Sequence, residues 1–343
     1  MYPSKSLEMG PSKSGPGSMF FKSQLSKPVQ TPKDIDLSGK VTIVTGASTG
    51  LGLESCRQFL SLKLSHLIMA VRSVQKGEKA AKKLRTEFPT TKIEVWTLEM
   101  SSYDSIQAFV HRVEKDLVRL DIVILNAGLA KQDLSVVEST GHEESIQVNY
   151  ISTVLLSILI LPALKAKSPP STPGRLSIVS SGTVFAAKFP TRHEVPLLKT
   201  FDDKANWDAN DRYATSKVLG HYFIVKMASY VDPSDVIINL VDPGLTKGSG
   251  LLREVTGLVS VVFALMKWAL GRTLEVGAST YVDAAVVKEN ETHGSFLMDW
   301  KIAPFAYLLY AADSNAVTEQ LWDESMKELE FCGALRALEG MRQ

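Results

Sequence analysis

The feature that most constrains this chain is a series of short, almost uninterrupted Val/Ile/Leu stretches separated by longer segments of helical periodicity. The stretches are Val41–Thr45, His66–Val71, Ile93–Leu98, Ile122–Leu125, Leu176–Val179, Val236–Val241 and, more weakly, Ser295–Met298. A strand with one face in water alternates apolar and polar residues. Strands buried on both faces do not, and that is the pattern of a parallel sheet covered by helices. Between the stretches, the spacing predicts helices over Leu51–Leu62, Lys76–Glu87, Tyr103–Arg119, Glu143–Lys165, Asp211–Ser229 and Val276–Val287. This alternation predicts a single α/β domain on a doubly wound parallel sheet of about seven strands. Two segments stand outside it: a polar insertion, Ala187–Asn210, and an apolar one, Leu245–Thr273, placed where open α/β folds bind ligands and so expected to be a substrate lid.

Composition narrows the function. Lys+Arg 38 against Asp+Glu 37 leaves a net charge of +1, so there is no basic excess to hold a nucleic acid backbone. The two cysteines, Cys56 and Cys332, lie far apart and near no histidine cluster, and the six histidines show no ligand spacing. That excludes a disulfide framework, a thiolate zinc site and a redox pair; no metal is expected, and a cytoplasmic setting is. Residues 1–36 are rich in Ser, Pro, Lys and Gly without an apolar signal core, and read as a flexible polar tail before a domain at 37–343. The stretch 257–270 is shorter than the ~20 residues of a membrane span and contains Lys267, so membrane contact is not expected beyond a shallow one there.

Directly after the first predicted strand comes Thr45-Gly46-Ala47-Ser48-Thr49-Gly50-Leu51-Gly52. Glycines at such a turn let backbone N–H groups approach a pyrophosphate at the N-terminus of the next helix. The second strand ends in Arg72, with Lys76 four residues on and no acid at the tip. In this fold an acid there binds the ribose 2′-OH of NAD, whereas an arginine accommodates the 2′-phosphate of NADP, so NADP(H) is favoured. Asn126-Ala127-Gly128 closes the fourth strand as a tight turn. Tyr213 and Lys217 stand four apart on a predicted helix, hence on one face, where a cation would lower the pKa of a phenol toward useful acid/base chemistry. Ser180-Ser181 ends the fifth strand at the same edge, and Asn149 lies in the preceding helix.

Together these residues, with Asp242-Pro243-Gly244 and Thr246 in the same order, resemble the short-chain dehydrogenase/reductase family from about Gly39 onward. The stretches Val71–Glu78, Thr273–Ala278 and Gln320–Ser325 look like its retinol-dehydrogenase-type branch, and Phe20–Leu25 resembles fungal members, often found in secondary-metabolite pathways. The resemblance implies a Rossmann-type domain and an NADP-dependent oxidoreductase acting on CH–OH/C=O groups. Tyr213 would be the acid/base, Lys217 its pKa-lowering partner and ribose anchor, and Ser181 the donor to the substrate oxygen, with Ser180 an adjacent alternative. Asn149 would hold a relay water. Gly46, Ser48, Thr49, Gly50, Leu51 and Gly52 would cradle the diphosphate. Asn126, Ala127, Gly128, Pro243, Gly244 and Thr246 would line the nicotinamide side. Glu99 stands where an Asp commonly contacts adenine, and Ser181 and Tyr213 are further apart than in the shortest members.

Leu251, Leu252, Val262, Phe263 and Trp268 in the lid suggest a lipophilic carbonyl or alcohol substrate. Two other readings stay open. Gly46-Ala47-Ser48-Thr49-Gly50 matches a nucleophile elbow with Asp283 and His293 downstream, and the fold could persist as a silent dinucleotide-binding scaffold.

Overall fold

The computed structural model describes residues 4–170, 172–250 and 265–342. Eight strands form one sheet: β1 Val41–Thr45, β2 His66–Val71, β3 Lys92–Thr97, β4 Ile122–Leu125, β5 Gly174–Val179, β6 Val236–Asp242, β7 Ser295–Met298 and β8 Lys301–Ala303. Their spatial order is β3-β2-β1-β4-β5-β6-β7-β8. All neighbours are parallel except β7 and β8, which form an antiparallel hairpin. The order reverses between β1 and β4, which opens a crevice at their carboxyl ends. The eighth strand escapes sequence reading because three residues carry no periodicity.

The principal helices are α1 Pro16–Gln24, α2 Gly50–Ser61, α3 Val74–Glu87, α4 Tyr103–Asp116, α5 Glu144–Lys167, α6 Ala209–Ala228, α7 Leu274–Val282 and α8 Ser314–Glu328. Phe109 of α4, Leu155 and Leu161 of α5 and Leu219 of α6 fill the core on one face of the sheet. Phe59 and Leu60 of α2, Leu84 of α3 and Tyr281 of α7 fill it on the other. Helix α5 is long and apolar enough to cross a membrane, but 83% of its most apolar window is buried, so it is the central core helix. Ser73 and Ser102 cap α3 and α4 by accepting from Lys76 N and Ser105 N. Helix α2 starts at Thr49 with no side-chain cap, which leaves its first N–H groups for a ligand.

Helix α5 starts one residue later than expected, because the Glu143 carboxylate accepts from Ser145 N and Ile146 N (2.7 and 3.0 Å) as its cap. The insertion 187–210 is not a free loop. It contains a helical turn, Leu197–Thr200, whose first N–H groups donate to the Glu324 carboxylate of α8 at 2.7 and 2.8 Å.

The expectation of a flexible tail fails for residues 4–26. Ser4, Ser6 and Ser23 are buried, Met19 packs on the main core, and Ser6 Oγ accepts from Phe296 N in β7 at 2.8 Å. The segment is poor in apolar side chains, but it offsets its ordering entropy with hydrogen bonds to backbone groups of the β7 side of the sheet. Of the lid, 251–264 lie outside the described residues, as do four of its five named apolar side chains. Trp268 and Leu265 are exposed.

Candidate active site

Every candidate residue stands at or just beyond the carboxyl ends of β1 to β6, or on helices facing them. Gly46 and Gly50 take φ of 66° and 58°, which turns the β1–α2 loop across the crevice. Gly52 is required by close approach: a Cβ there would lie 2.5 Å from Asn126 Nδ2 and 2.6 Å from Gly46 O. Asn126 Nδ2 donates to Thr45 O (2.9 Å) and Ala127 N to Thr45 Oγ1 (2.9 Å), so the β4 turn is stitched to the glycine loop. Ser48 and Thr49 lie on the open side of that loop, while Leu51 packs inward on the second core. Glycines at tight contacts and an uncapped helix N-terminus form a donor set that fits a diphosphate.

At the other end of the crevice Arg72 follows β2, 67% exposed, with its Nε 3.7 Å from Glu99 Oε2. Glu99 Oε1 accepts from Ser101 N and Oγ (3.2 and 2.9 Å), so its carboxylate is fixed beside the guanidinium. That ties Glu99 to Arg72, a role its sequence position beside adenine did not suggest. Lys76, in the first turn of α3, is exposed.

The reacting end is set by β5, β6 and α6. Lys217 is buried, its Nζ donating to Val179 O at 2.8 Å, and burial lowers its pKa to about 8. Its ammonium lies 5.9 Å from the Tyr213 ring centre. Burial pushes the Tyr213 phenol well above its ordinary value, a hydrogen bond with Ser181 works against that, and the charge of Asp242 adds to the rise. Burial thus acts on this phenol in the opposite sense to the lowering expected from Lys217. The two serines divide cleanly. Ser180 is buried with its Oγ 3.0 Å from His221 Nε2, whereas Ser181 is partly exposed and its Oγ accepts from Thr183 N and Oγ1. Ser181 is thus the serine of the pair whose hydroxyl faces the cleft and Tyr213, with its hydrogen not taken by Thr183.

Asn149 sits in a π-helical turn, Gln147–Ile151, a distortion common at functional positions. Its Nδ2 donates to Leu129 O (2.7 Å) and Ser216 Oγ (3.0 Å), and its Oδ1 accepts from Leu129 N (2.9 Å). Ser216 Oγ donates to Tyr213 O at 2.8 Å. The side-chain amide thus clamps the β4 loop to helix α6, with both of its N–H donors used and one lone pair of Oδ1 left for a further donor. A small cavity lined by Asn149, Ser180, Ser216 and Lys217 lies behind the ammonium. Gly128 touches this cluster; a Cβ there would lie 3.1 Å from Asn149 Oδ1 and 3.5 Å from Lys217 Nζ. Beyond β6, Arg272 Nη1 donates to Pro243 O (3.1 Å) and Thr246 Oγ1 to Gly244 O (3.0 Å).

The elbow reading of Ser48 loses its partners: His293 precedes β7 at the opposite edge of the sheet, its Nε2 3.0 Å from Ala228 O, and Asp283 pairs with Lys288. Among the described residues no group of three potential ligands could hold a metal ion.

A family model for short chain dehydrogenase matches residues 40–189. A short-chain dehydrogenase/reductase of Annulohypoxylon moriforme is 52% identical over 324 residues, with 94% of each chain covered. The chain belongs to the short-chain dehydrogenase/reductase family. As a member it is an oxidoreductase that uses a nicotinamide cofactor on a small-molecule substrate. A short chain dehydrogenase of Hypocrea virens is 43% identical over 326 residues, covering 94% of this chain and 95% of the relative. L-sorbose reductase from Gluconobacter frateurii, solved with NADPH and L-sorbose, shares the fold with a TM-score of 0.58 at 19% identity, over 78% of this chain and 97% of that one.

In this short-chain dehydrogenase/reductase, sequence reasoning missed Tyr281, whose hydroxyl donates to Asn126 Oδ1 at 3.1 Å and so orients the amide holding the glycine loop. It also missed His221, which locks Ser180. Neither has a legible signal, because each finds its partner only when its helix packs on the sheet.

Proposed function

We propose that this enzyme uses NADPH to reduce a lipophilic ketone or aldehyde to the alcohol, within a biosynthetic pathway of a secondary metabolite. The observation that supports this best is the convergence of Tyr213, Ser181, Lys217 and Asn149 beside a glycine loop whose helix is left uncapped. Gly46, Ser48, Thr49, Gly50, Leu51 and Gly52 would hold the diphosphate. Arg72, beside Glu99 and with Lys76 near, would meet the 2′-phosphate. Asn126, Ala127, Gly128, Pro243, Gly244 and Thr246 would line the nicotinamide side. Bound NADPH would supply the hydride.

The chain's own residues handle charge and protons. Negative charge developing on the carbonyl oxygen is met by the Ser181 hydroxyl as a fixed donor and by the Tyr213 hydroxyl, which gives its proton to that oxygen. A phenol is protonated at neutral pH, and burial acts in the same sense, so the Tyr213 hydroxyl has the proton that the reducing direction needs. Lys217, anchored on Val179 O, stabilises the phenolate left behind. Reprotonation would run from Lys217 through water in the cavity it shares with Asn149 and Ser216.

The test is NADPH oxidation with a panel of aryl aldehydes, cyclic ketones and β-keto esters, with Arg72→Asp beside the wild type. A guanidinium–phosphate pair contributes about 1.5–3 kcal/mol, so Arg72→Asp should weaken NADPH by about 10-fold to 100-fold and leave NADH no weaker. Equal affinity of the wild type for NADH and NADPH at moderate salt would overturn the assignment of Arg72.

A further inference from the structure

The N-terminal segment ends on the reacting side of the cleft. Gln24, the last residue of α1, spends its whole amide there: Oε1 accepts from Leu245 N (2.9 Å), and Nε2 donates to Leu245 O (2.9 Å) and Leu270 O (3.0 Å). Its oxygen also crowds the turn after β6, since a Cβ on Gly244 would lie 2.8 Å from it. Arg272 binds the same place from below. Its Nη2 donates to Ser23 O (2.9 Å), Ser26 Oγ (3.0 Å) and the Asp299 carboxylate, and its Nη1 to Pro243 O. Asp299 and Trp300 both take positive φ in the β7–β8 turn, and the Arg272 guanidinium lies 5.0 Å from the Trp300 ring centre, so one cation fixes that turn as well.

This turn adjoins the catalytic groups. Asp242, just before Pro243, accepts from Gly182 N at 2.9 Å, next to Ser181, and α1 packs on the same Gly182–Ala186 turn. Arg72, by contrast, follows β2, four strand spacings from β6 or about 19 Å.

We infer that Gln24 is a positioning residue: from the N-terminal segment it holds the Pro243–Gly244–Leu245 turn that walls the nicotinamide and carbonyl end of the cleft. The inference rests on the NADPH reading above. It makes α1 part of the active-site architecture, although its sequence precedes the sheet altogether.

The experiment compares Gln24→Ala with Ser6→Ala in the full chain. Ser6 belongs to the same segment, but its hydroxyl bonds to β7, through Phe296 N and O, away from the turn after β6. Binding of NADPH and of adenosine 2′,5′-bisphosphate, which lacks the nicotinamide half, is measured by calorimetry, with melting temperature alongside. Gln24→Ala is expected to weaken NADPH about tenfold, equivalent to about 1.4 kcal/mol, and to leave the bisphosphate within twofold. Ser6→Ala should lower the melting temperature and change neither affinity. Unchanged NADPH affinity in Gln24→Ala, or equal weakening of both ligands, would overturn the inference. A wild type that binds neither ligand would overturn the NADPH reading instead.

Discussion

Lys217→Met should stabilise the fold while it disables the enzyme. The ammonium is buried, accepts no help from a carboxylate in its hydrogen bonding, and has its pKa lowered from 10.5 to about 8 by burial. At about 1.4 kcal/mol per pH unit, that drop is a folding penalty of about 3 kcal/mol. Below pH 8 the group is charged in both states and the penalty is fully present. Between pH 8 and 10.5 the folded chain has lost the proton that the unfolded chain still binds, so stability rises with pH through that window. Methionine has nearly the same length and carries no charge; losing the bond to Val179 O costs about 1 kcal/mol. The net gain near pH 7 is therefore about 2 kcal/mol, and it should shrink by about 2 kcal/mol by pH 9.5 as the wild type sheds its charge. Urea unfolding followed by circular dichroism at the two pH values measures both, and kcat/KM should fall by about 10²-fold or more. A variant less stable than wild type near pH 7, or a gap that does not change with pH, would refute the buried-charge account.

The two serines should separate in the same assays. Ser181→Ala is expected to lower kcat by about 10²-fold to 10³-fold with an unchanged melting temperature. Ser180→Ala strands the Nε2 of a wholly buried His221 and should chiefly lower the melting temperature. His142 bridges Asp202 and Glu328 at 3.1 and 3.3 Å; burial opposes its charge, but the two carboxylates prevail and raise its pKa to about 9. Its contribution is complete below its unfolded pKa of 6.5 and is lost as pH rises through 9. The melting-temperature difference between wild type and His142→Gln should accordingly close between pH 7 and 10.

What the sequence made legible follows from physical range. Strands β1, β2 and β4 to β7 show because burial on both faces keeps them mostly apolar, and the glycine loop shows because close approach excludes side chains. Tyr213 and Lys217 show because one helix fixes their spacing. The docking of residues 4–26 does not show, because it rests on a few serines and Gln24, whose partners lie more than 200 residues away. Ser180 and Ser181 cannot be told apart without His221, which becomes a neighbour only when β5 packs on α6. The i, i+4 spacing gives the proximity of Lys217 to Tyr213 but not the burial of the phenol, which acts on its pKa in the opposite sense.

The central claim is that Tyr213 delivers the proton in hydride reduction of a carbonyl, and one variant tests it most directly. In Tyr213→Phe the ring and its packing remain and only the proton donor is removed. With the best carbonyl of the panel and saturating NADPH, kcat should fall by about 10²-fold to 10⁴-fold while NADPH affinity and the circular dichroism spectrum stay as in the wild type. Turnover near the wild-type rate from that well-folded variant would contradict the account and leave Tyr213 as a half-buried helix residue with no part in the chemistry.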